Sequence, residues 1–160
     1  MTLQFANHHD RLYGVDASGR LPLGSSAKLG ALDVGGVVGY VQGRNLDSGD
    51  NLYHMMPLKT RVSLEHHRGA WTGAVDLQTV AAKQDVQAVR NELRTAGYAL
   101  VNVRAGYQWQ FLQLDAGVEN VTNKDYALPL GGRYWVGDKT GSSSVPGIGR
   151  SLSAGLTVKF

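Results

Sequence analysis

Apolar and polar residues alternate with a period of two along most of the chain. The clearest run is 151–160, where one parity is apolar throughout: Leu152, Ala154, Leu156, Val158 and Phe160. This period is typical of a β-strand, because successive side chains point to opposite faces. Seven further segments follow the rule, so that eight strands are predicted: 2–7, 12–21, 28–42, 58–67, 71–81, 98–107, 111–119 and 151–160.

A helical period is weak everywhere in the chain. The best candidate is residues 86–94, where Val86, Val89 and Leu93 share one face of a short helix. Nine residues are too few for a stable amphipathic helix on their own, so we interpret this segment as a loop. The predicted fold class is therefore all-β.

The connections between the predicted strands alternate between short and long. Residues 21–27, 68–70 and 108–110 are short turns, whereas 43–57, 83–97 and 120–149 are long; the short connection 8–11 is the exception. Neighbouring strands joined this way are antiparallel, with the turns at one edge and the loops at the other. Short turns opposite long loops are typical of an outer-membrane β-barrel.

Charged and aromatic residues indicate which face meets lipid. Almost all strand charges share the polar parity: Asp16, Arg20, Asp33, Lys59, Arg61, Glu65, Asp76, Arg104, Asp115, Glu119 and Lys159. We expect Arg61, Arg104, Asp115 and Glu119 to pair with one another or with a domain inside the barrel. Aromatic residues fall at strand ends and predict two interfacial girdles: Trp71, Tyr107, Trp109, Phe111 and Phe160 at the turns, and Tyr13, Tyr40 and Tyr98 toward the loops. Both observations favour a membrane barrel over a soluble ligand-binding barrel.

Composition narrows the function classes. The 160 residues include no Cys, so disulfides and Cys-based metal sites are excluded; only 18 % are charged and 21 are Gly. The 16 basic residues are scattered among 13 acidic ones, so no nucleic-acid footprint is present. No apolar run suits a spanning helix. Residues 1–9 are unlike a signal peptide, which indicates a cytosolic protein or a missing amino terminus.

Two motifs near the end of the chain carry a resemblance to a known family. The stretch 117–126, GVENVTNKDY, resembles the penultimate-strand motif of TonB-dependent outer-membrane receptors, and 146–160, from PGIGR to the terminal Phe, resembles their last strand. The matching positions are Gly117, Glu119, Asn120, Asn123, Lys124, Tyr126, Arg150 and Phe160. Residues 95–107 and 56–61 resemble two further recurring segments. Val121 and Thr122 depart from the apolar-aromatic pair that is commoner in the family.

The resemblance implies an architecture larger than this chain. Residues 1–160 would be the carboxy-terminal part of a barrel of about 22 strands, which needs about 440 residues at the strand spacing seen here. The family's signal peptide, TonB box and plug domain have no counterpart in the sequence, so we expect a segment of a longer protein. An autonomous eight-stranded outer-membrane barrel with a binding or structural role is the alternative.

The resemblance also implies a function, a location and partners. It indicates energy-coupled uptake of an iron complex such as a siderophore, or of another scarce metal or cofactor, across the outer membrane of a Gram-negative bacterium. The implied partners are outer-membrane lipid, the TonB complex through the missing amino-terminal regions, the transported ligand and the barrel assembly machinery. The eight motif positions named above are expected to serve assembly of the barrel. The resemblance implies no cofactor.

A few loop residues are candidates for ligand contact. Tyr53, His54, Tyr126, Tyr134 and Trp135 lie in long loops, where their rings could stack on a ligand. His54, Met55 and Met56 offer imidazole and thioether donors of the kind that soft metals prefer. Catalytic motifs are lacking: the sequence contains no Gly-x-Ser-x-Gly and no phosphate loop, so we predict that the protein is not an enzyme.

Overall fold

A computed structural model describes residues 7–136 and 141–159 of the chain. The described strands are β1 (Asp10–Ser26), β2 (Gly30–Asn45), β3 (Lys59–Arg68), β4 (Trp71–Val80), β5 (Tyr98–Trp109), β6 (Leu112–Glu119), β7 (Arg133–Val136), β8 (Gly141–Ser144) and β9 (Ser151–Val158). Seven of them form one antiparallel sheet in the order β1-β2-β3-β4-β5-β6-β9. Strands β7 and β8 pair separately as a hairpin.

The seven predicted strands from residue 12 onward are confirmed as the members of the large sheet. The predicted strand 2–7 falls almost wholly on residues that lie outside the described ranges, as does Phe160. Residues 86–94 form turns and irregular backbone, as expected. The β7–β8 hairpin was not predicted, because its Gly and Ser residues give no apolar alternation. Within 7–136 and 141–159, no helix has the length and apolarity needed to cross a membrane.

Strand register collects the apolar parity of every strand on one face of the sheet, here called the apolar face. One row runs through paired residues of six strands: Val34, Leu64, Val75, Val103, Val118 and Leu152. Many of these side chains are open to the surroundings; Leu152 is 77 % exposed and Leu64 is 43 % exposed. A patch this large and continuous marks contact with lipid or another protein.

The connections separate into two edges, as predicted. Turns 27–29, 69–70 and 110–111 lie at the short-turn edge, and loops 46–58, 81–97 and 120–150 lie at the long-loop edge. Strands β1 and β9 do not pair with each other in the described residues, so the sheet is open. Within residues 7–136 and 141–159, this sheet does not close on itself as the autonomous barrel requires.

The few fully covered apolar side chains lie near the long-loop edge. Val80 is 3 % exposed and Leu100 is 6 % exposed, and both belong to the polar face, the side of the sheet opposite the apolar face. Tyr98 pairs with Val80 and therefore also lies on the polar face. The placement of Tyr98 in a lipid-facing girdle was wrong, because Tyr98 belongs to the polar parity of β5.

Candidate functional site at the polar face and the long-loop edge

The polar face carries a cluster of charges centred on Asp76 of β4. The Asp76 side chain is 1 % exposed, and its two carboxylate oxygens accept hydrogen bonds from different neighbours. Arg61 of β3 donates from Nε at 3.0 Å, and Arg104 of β5 donates from Nη2 at 2.9 Å. One carboxylate therefore joins three adjacent strands.

This arrangement corrects the expected pairing of the strand charges. Arg61 and Arg104 share Asp76, while Asp115 accepts hydrogen bonds from Gln113. Register explains the choice, because Gln78 of β4 lies directly opposite Arg61 and Ala74 directly opposite Arg104, which leaves Asp76 between them. A buried carboxylate is stable only when it is paired, and two guanidinium groups supply that pairing here.

A second charge group links the strands on the other side of β3. Arg20 of β1 donates from Nη2 to Glu65 of β3 at 2.7 Å and to Asp33 of β2 at 3.2 Å. Together with the Asp76 cluster, these ion pairs connect β1 through β5 on the polar face. The face therefore carries both charge signs, as expected of a surface that meets other protein or water.

The motif at the end of β6 connects two parts of the third long loop, residues 120–150. We call the four residues that make this connection, Asn120, Asn123, Tyr126 and Gly147, the latch. Asn120 is 3 % exposed and has a positive φ of 50°. Its Nδ2 donates to the carbonyl oxygens of Lys124 at 2.9 Å and Ile148 at 3.3 Å, and its Oδ1 accepts from the Lys124 amide at 2.8 Å. The Asn120 amide in turn donates to Oδ1 of Asn102 on β5.

Asn123 and Tyr126 continue this latch toward β9. Asn123 has a φ of 51°, and its Oδ1 accepts from the Arg150 amide at 2.9 Å, one residue before β9 begins. The Tyr126 ring packs against Tyr98, with 4.4 Å between the ring centroids. Gly147 lies so close to the Tyr126 ring that a Cβ there would overlap it. The latch thus holds residues 147–150, the segment just before β9, against the sheet.

The other motif positions have simpler surroundings. Gly117 lies on the polar face, where an added Cβ would come within 2.9 Å of the Ser153 Oγ. Glu119 and Lys124 are exposed, and Arg150 enters the latch through its backbone amide. Phe160 lies outside the described residues. A role of these positions in barrel assembly stays a prediction.

A buried ion pair fastens the long loops to one another. Lys83 and Glu92 side chains are 1 % and 6 % exposed, and Nζ of Lys83 lies 2.6 Å from Oε1 of Glu92. Glu92 also accepts from the His54 amide at 3.0 Å and the Gln87 amide at 2.9 Å. Lys83 donates further to the Pro129 carbonyl at 3.3 Å. All three long loops therefore meet at this pair.

The surroundings of Glu92 shift its ionisation. Burial alone raises the pKa of Glu92, but the Lys83 ammonium and the two backbone amides favour the carboxylate more strongly. The net result is a pKa below the ordinary value for glutamate. Sequence reasoning missed this pair, because an isolated Lys and Glu nine residues apart in a loop carry no periodic signal.

The candidate ligand residues do not form one group. Tyr53 and His54 stack on each other with 3.9 Å between ring centroids, and the Arg90 guanidinium lies 5.1 Å from the Tyr53 centroid. Tyr126 is packed into the latch, and Tyr134 is exposed on β7. Trp135 belongs to β7 through its backbone. Ligand contact by these residues stays a prediction.

The candidate soft-metal donors face different spaces. His54 lines a small cavity with Arg90, whereas Met55 and Met56 line a larger one of about 290 Å³ beside Tyr40 and Lys83. Across the part of the chain that the structure describes, no three His, Cys, Asp or Glu side chains are grouped to hold a metal ion. Metal binding by His54, Met55 and Met56 stays a prediction.

Comparison with known proteins gives two matches. The family described as TonB dependent receptor-like, beta-barrel matches residues 3–121. Among solved structures, a protein named as the copper transporter OprC superimposes with a TM-score of 0.84 at 22 % sequence identity; the match covers 96 % of this chain and 24 % of that protein. The chain thus spans about a quarter of this relative's length. No curated protein matches the sequence.

Proposed function

The chain belongs to the family of TonB-dependent receptor-like β-barrels, and on this premise we propose that it forms the carboxy-terminal barrel wall of an outer-membrane transport receptor. The observation that carries the proposal is the two-faced sheet. Its apolar face is exposed from β1 to β9, while its polar face holds the ion pairs of Asp76 and Arg20. A large membrane barrel needs this inversion, with lipid outside and a polar interior.

The architecture proposed for the whole protein has two further parts. Residues 1–160 supply barrel strands, and additional strands pair with the open edges of β1 and β9. An open edge in lipid leaves unpaired backbone groups that each cost several kcal/mol, so closure is required. A plug domain inside the barrel faces the polar side and carries the contact with TonB.

Transport in this proposal is a binding and gating process, with no covalent chemistry. The long-loop edge faces the outside of the cell and captures a scarce ligand, which is an iron complex such as a siderophore or another scarce metal or cofactor. Copper is one of the other scarce metals in this proposal, and it is included in the test because a similar solved structure is named as a copper transporter. Energy relayed by TonB moves the plug and releases the ligand inward.

Assembly in the proposal depends on the outer-membrane barrel machinery. Asn120 and Asn123 of the latch follow β6 directly and hydrogen-bond to Ile148 and Arg150, which lie just before β9, so the latch holds the last strand beside β6 while the barrel closes. The Gram-negative outer membrane is the proposed location.

The proposed function is tested by uptake in cells that express the full-length protein. The probes are ⁵⁵Fe as ferric citrate and as a ferric hydroxamate, ⁶⁴Cu and ⁵⁷Co-cobalamin, each measured with and without a protonophore. We expect uptake of one probe that is lost in the presence of the protonophore and in cells without TonB. Uptake that persists unchanged under both conditions would exclude energy-coupled transport.

A further inference from the structure

Two arginines on the apolar face lie directly opposite each other at the long-loop edge. Register pairs Arg11 of β1 with Arg44 of β2, and both side chains are exposed. Arg68, at the short-turn end of β3, is the only other Lys, Arg, Asp or Glu on this face among the described residues of the seven strands. An otherwise apolar surface therefore carries two positive charges side by side at its loop end.

The arginine pair has no counter-charge in the part of the chain that the structure describes. Directly opposite residues of an antiparallel pair have Cβ atoms about 4.5–5.5 Å apart, and like charges placed this way destabilise a sheet. Nε of Arg44 donates to the Gly49 carbonyl at 2.9 Å, which leaves both of its terminal amino groups available. Within 7–136 and 141–159, no carboxylate forms an ion pair with Arg11 or Arg44. An anion bound between the two guanidinium groups removes their repulsion.

A cleft lined by both arginines offers room for such an anion. Its volume is about 350 Å³. The lining includes Arg11, Tyr13, Gln42, Arg44 and Leu46. Among the described residues no carboxylate lines it, and two nearby ones are engaged elsewhere: Asp47 accepts from the His9 amide at 2.9 Å, and Asp85 from Nε2 of Gln42 at 3.4 Å. Ligand pockets begin at about 300 Å³, so a phosphate fits together with part of the molecule that carries it.

Two tyrosines form the next layer on the same face, toward the short-turn edge. The hydroxyls of Tyr13 and Tyr40 both donate to Oε1 of Gln42, and the rings are 53 % and 37 % exposed by residue. Tyrosine is enriched at the headgroup level of membranes, where its ring meets apolar chains and its hydroxyl meets polar groups. Aliphatic residues follow, beginning with Val15 and Val38. The order is thus cationic, aromatic, then aliphatic, which matches the order of headgroup, interface and hydrocarbon in a lipid.

The spacing along β1 agrees with the height of a membrane. Leu21 lies ten positions after Arg11 on this strand. That separation is about 34 Å along the strand, or about 26 Å along the membrane normal at a tilt of about 40°. The apolar band of an outer-membrane barrel is about 25 Å tall. With Leu21 at the short-turn boundary of the band, Arg11 and Arg44 lie at headgroup depth on the long-loop side.

We propose that Arg11 and Arg44 bind a phosphate group of a lipopolysaccharide molecule in the outer leaflet, with its acyl chains lying along the apolar face of β1 and β2. Guanidinium groups suit this ligand, because their planar N–H edges bind phosphate oxygens in pairs. The inference rests on the proposed function in placing the long-loop edge outside the cell and the apolar face in lipid. Binding requires neither TonB nor uptake. A transporting receptor that does not bind the lipid contradicts this inference alone, and a lipid-binding barrel that transports nothing contradicts only the proposed function.

The experiment is native mass spectrometry of the full-length protein in maltoside micelles freed of lipopolysaccharide. The probes are lipid A with both phosphates and lipid A from which the phosphates have been removed, which share their acyl chains. We expect a saturable complex with the first probe and at least tenfold weaker binding of the second. Arg11→Gln and Arg44→Gln are each expected to raise the dissociation constant for phosphorylated lipid A about tenfold, because each removes charge-assisted hydrogen bonds.

Arg68→Gln is the matched control, since Arg68 is an exposed arginine of the same face at the opposite edge. Its dissociation constant should stay at the wild-type value, and Arg11→Lys should keep part of the affinity by keeping the charge. Heat-modifiable migration on gels verifies that each variant is folded. Equal affinity for the two probes, or an equal loss in Arg68→Gln, would overturn the proposal. Binding of inorganic phosphate with an affinity comparable to that of lipid A would also overturn it, because the occupant would then be a soluble anion.

Discussion

At the scale of single residues, the most constrained charge is Asp76. The Asp76 side chain is buried, whereas the side chains of Arg61 and Arg104 are 49 % and 55 % exposed. The arginines therefore retain contact with the surroundings when the carboxylate is lost. The burial of Asp76 makes it the member of the cluster whose substitution matters most.

Neutralising Asp76 is expected to destabilise the barrel. Asp76→Asn leaves two neighbouring guanidinium groups without a counter-charge, and we expect a loss of about 1–3 kcal/mol, less than for a wholly buried pair because both arginines are half exposed. Equilibrium urea unfolding of the full-length protein in detergent measures the change. Asp115→Asn is the control, because Asp115 is exposed and, among the described residues, its carboxylate accepts hydrogen bonds from Gln113 alone. An equal loss in both variants would contradict the role of Asp76.

Asn120 is the second residue with several functions at one position. It adopts a positive φ and makes three side-chain hydrogen bonds to Lys124 and Ile148. Asparagine is among the few residues that tolerate this conformation, and its amide both donates and accepts. Aspartate would keep only the accepting role.

Substitution of Asn120 is expected to free residues 147–150, the segment just before β9, from the end of β6. Asn120→Ala should destabilise the latch by about 2–3 kcal/mol through lost hydrogen bonds and backbone strain. Amide hydrogen exchange at Lys124 and Arg150 should accelerate accordingly. Asn120→Gly also removes the side-chain hydrogen bonds but tolerates the positive φ, so it should have a smaller effect than Asn120→Ala. Thr122→Ala, at an exposed position of the same turn, should have no effect. Unchanged protection in Asn120→Ala would show that the latch does not hold this segment.

At the scale of elements, the sheet and the loops depend on different interactions. The strands β1 to β6 and β9 are joined by antiparallel ladders, with one register shift in β1 between Pro22 and Gly24. The three long loops meet at one buried ion pair, Lys83–Glu92. Lowering the pH should therefore loosen the loops more than it loosens the strands.

Acidification is expected to loosen the loops before the sheet. The pKa of Glu92 is lower in the folded loops than in the unfolded chain, so its stabilisation is full above the unfolded value of about 4.3 and is lost as pH falls through the folded value. Amide exchange at His54 and Gln87, corrected for intrinsic rates, should rise as the pH falls below the ordinary glutamate pKa. Glu92→Gln should abolish this pH dependence. If Glu92→Gln shows the same rise in amide exchange on acidification, a titratable group other than Glu92 causes it.

At the scale of the whole molecule, the two faces of the sheet decide where the chain can reside. Each of the seven strands contributes apolar side chains to one face and polar or small ones to the other, and register keeps the assignment from β1 to β9. A one-residue slip of any strand would exchange its two faces. In the proposed barrel, the same sheet provides both a lipid surface and an interior wall.

The face assignment is tested directly by single cysteines, because the chain has no Cys. We expect a polarity-sensitive fluorophore to emit from an apolar environment at Leu77→Cys and Leu152→Cys in membranes. Gln78→Cys and Ser153→Cys, one residue further along the same strands, should report a polar one. A lipid-phase quencher should quench only the first pair. Equal quenching at Leu77→Cys and Gln78→Cys would reject the two-faced arrangement.

The sequence by itself determined the strands of the large sheet, their faces and the order of turns and loops. Period-two alternation is a local property, so β3 and β9 could be located from their own residues. The positions of the charged and aromatic residues then favoured the apolar parity as the face toward lipid. Tyr98 shows the limit of this approach, since assigning an aromatic to a girdle requires its parity as well as its position along the strand.

Only the tertiary structure decided which partners meet. Asp76 accepts hydrogen bonds from both Arg61 and Arg104 because the register of β3, β4 and β5 places it between them. Register is a property of paired strands and not of one strand's own sequence. Lys83, Glu92 and His54 meet because three loops fold over the same edge, and loops carry no period that reports their path. Side-chain pairing over long sequence distances depends on the assembled sheet, so it is absent from any local pattern.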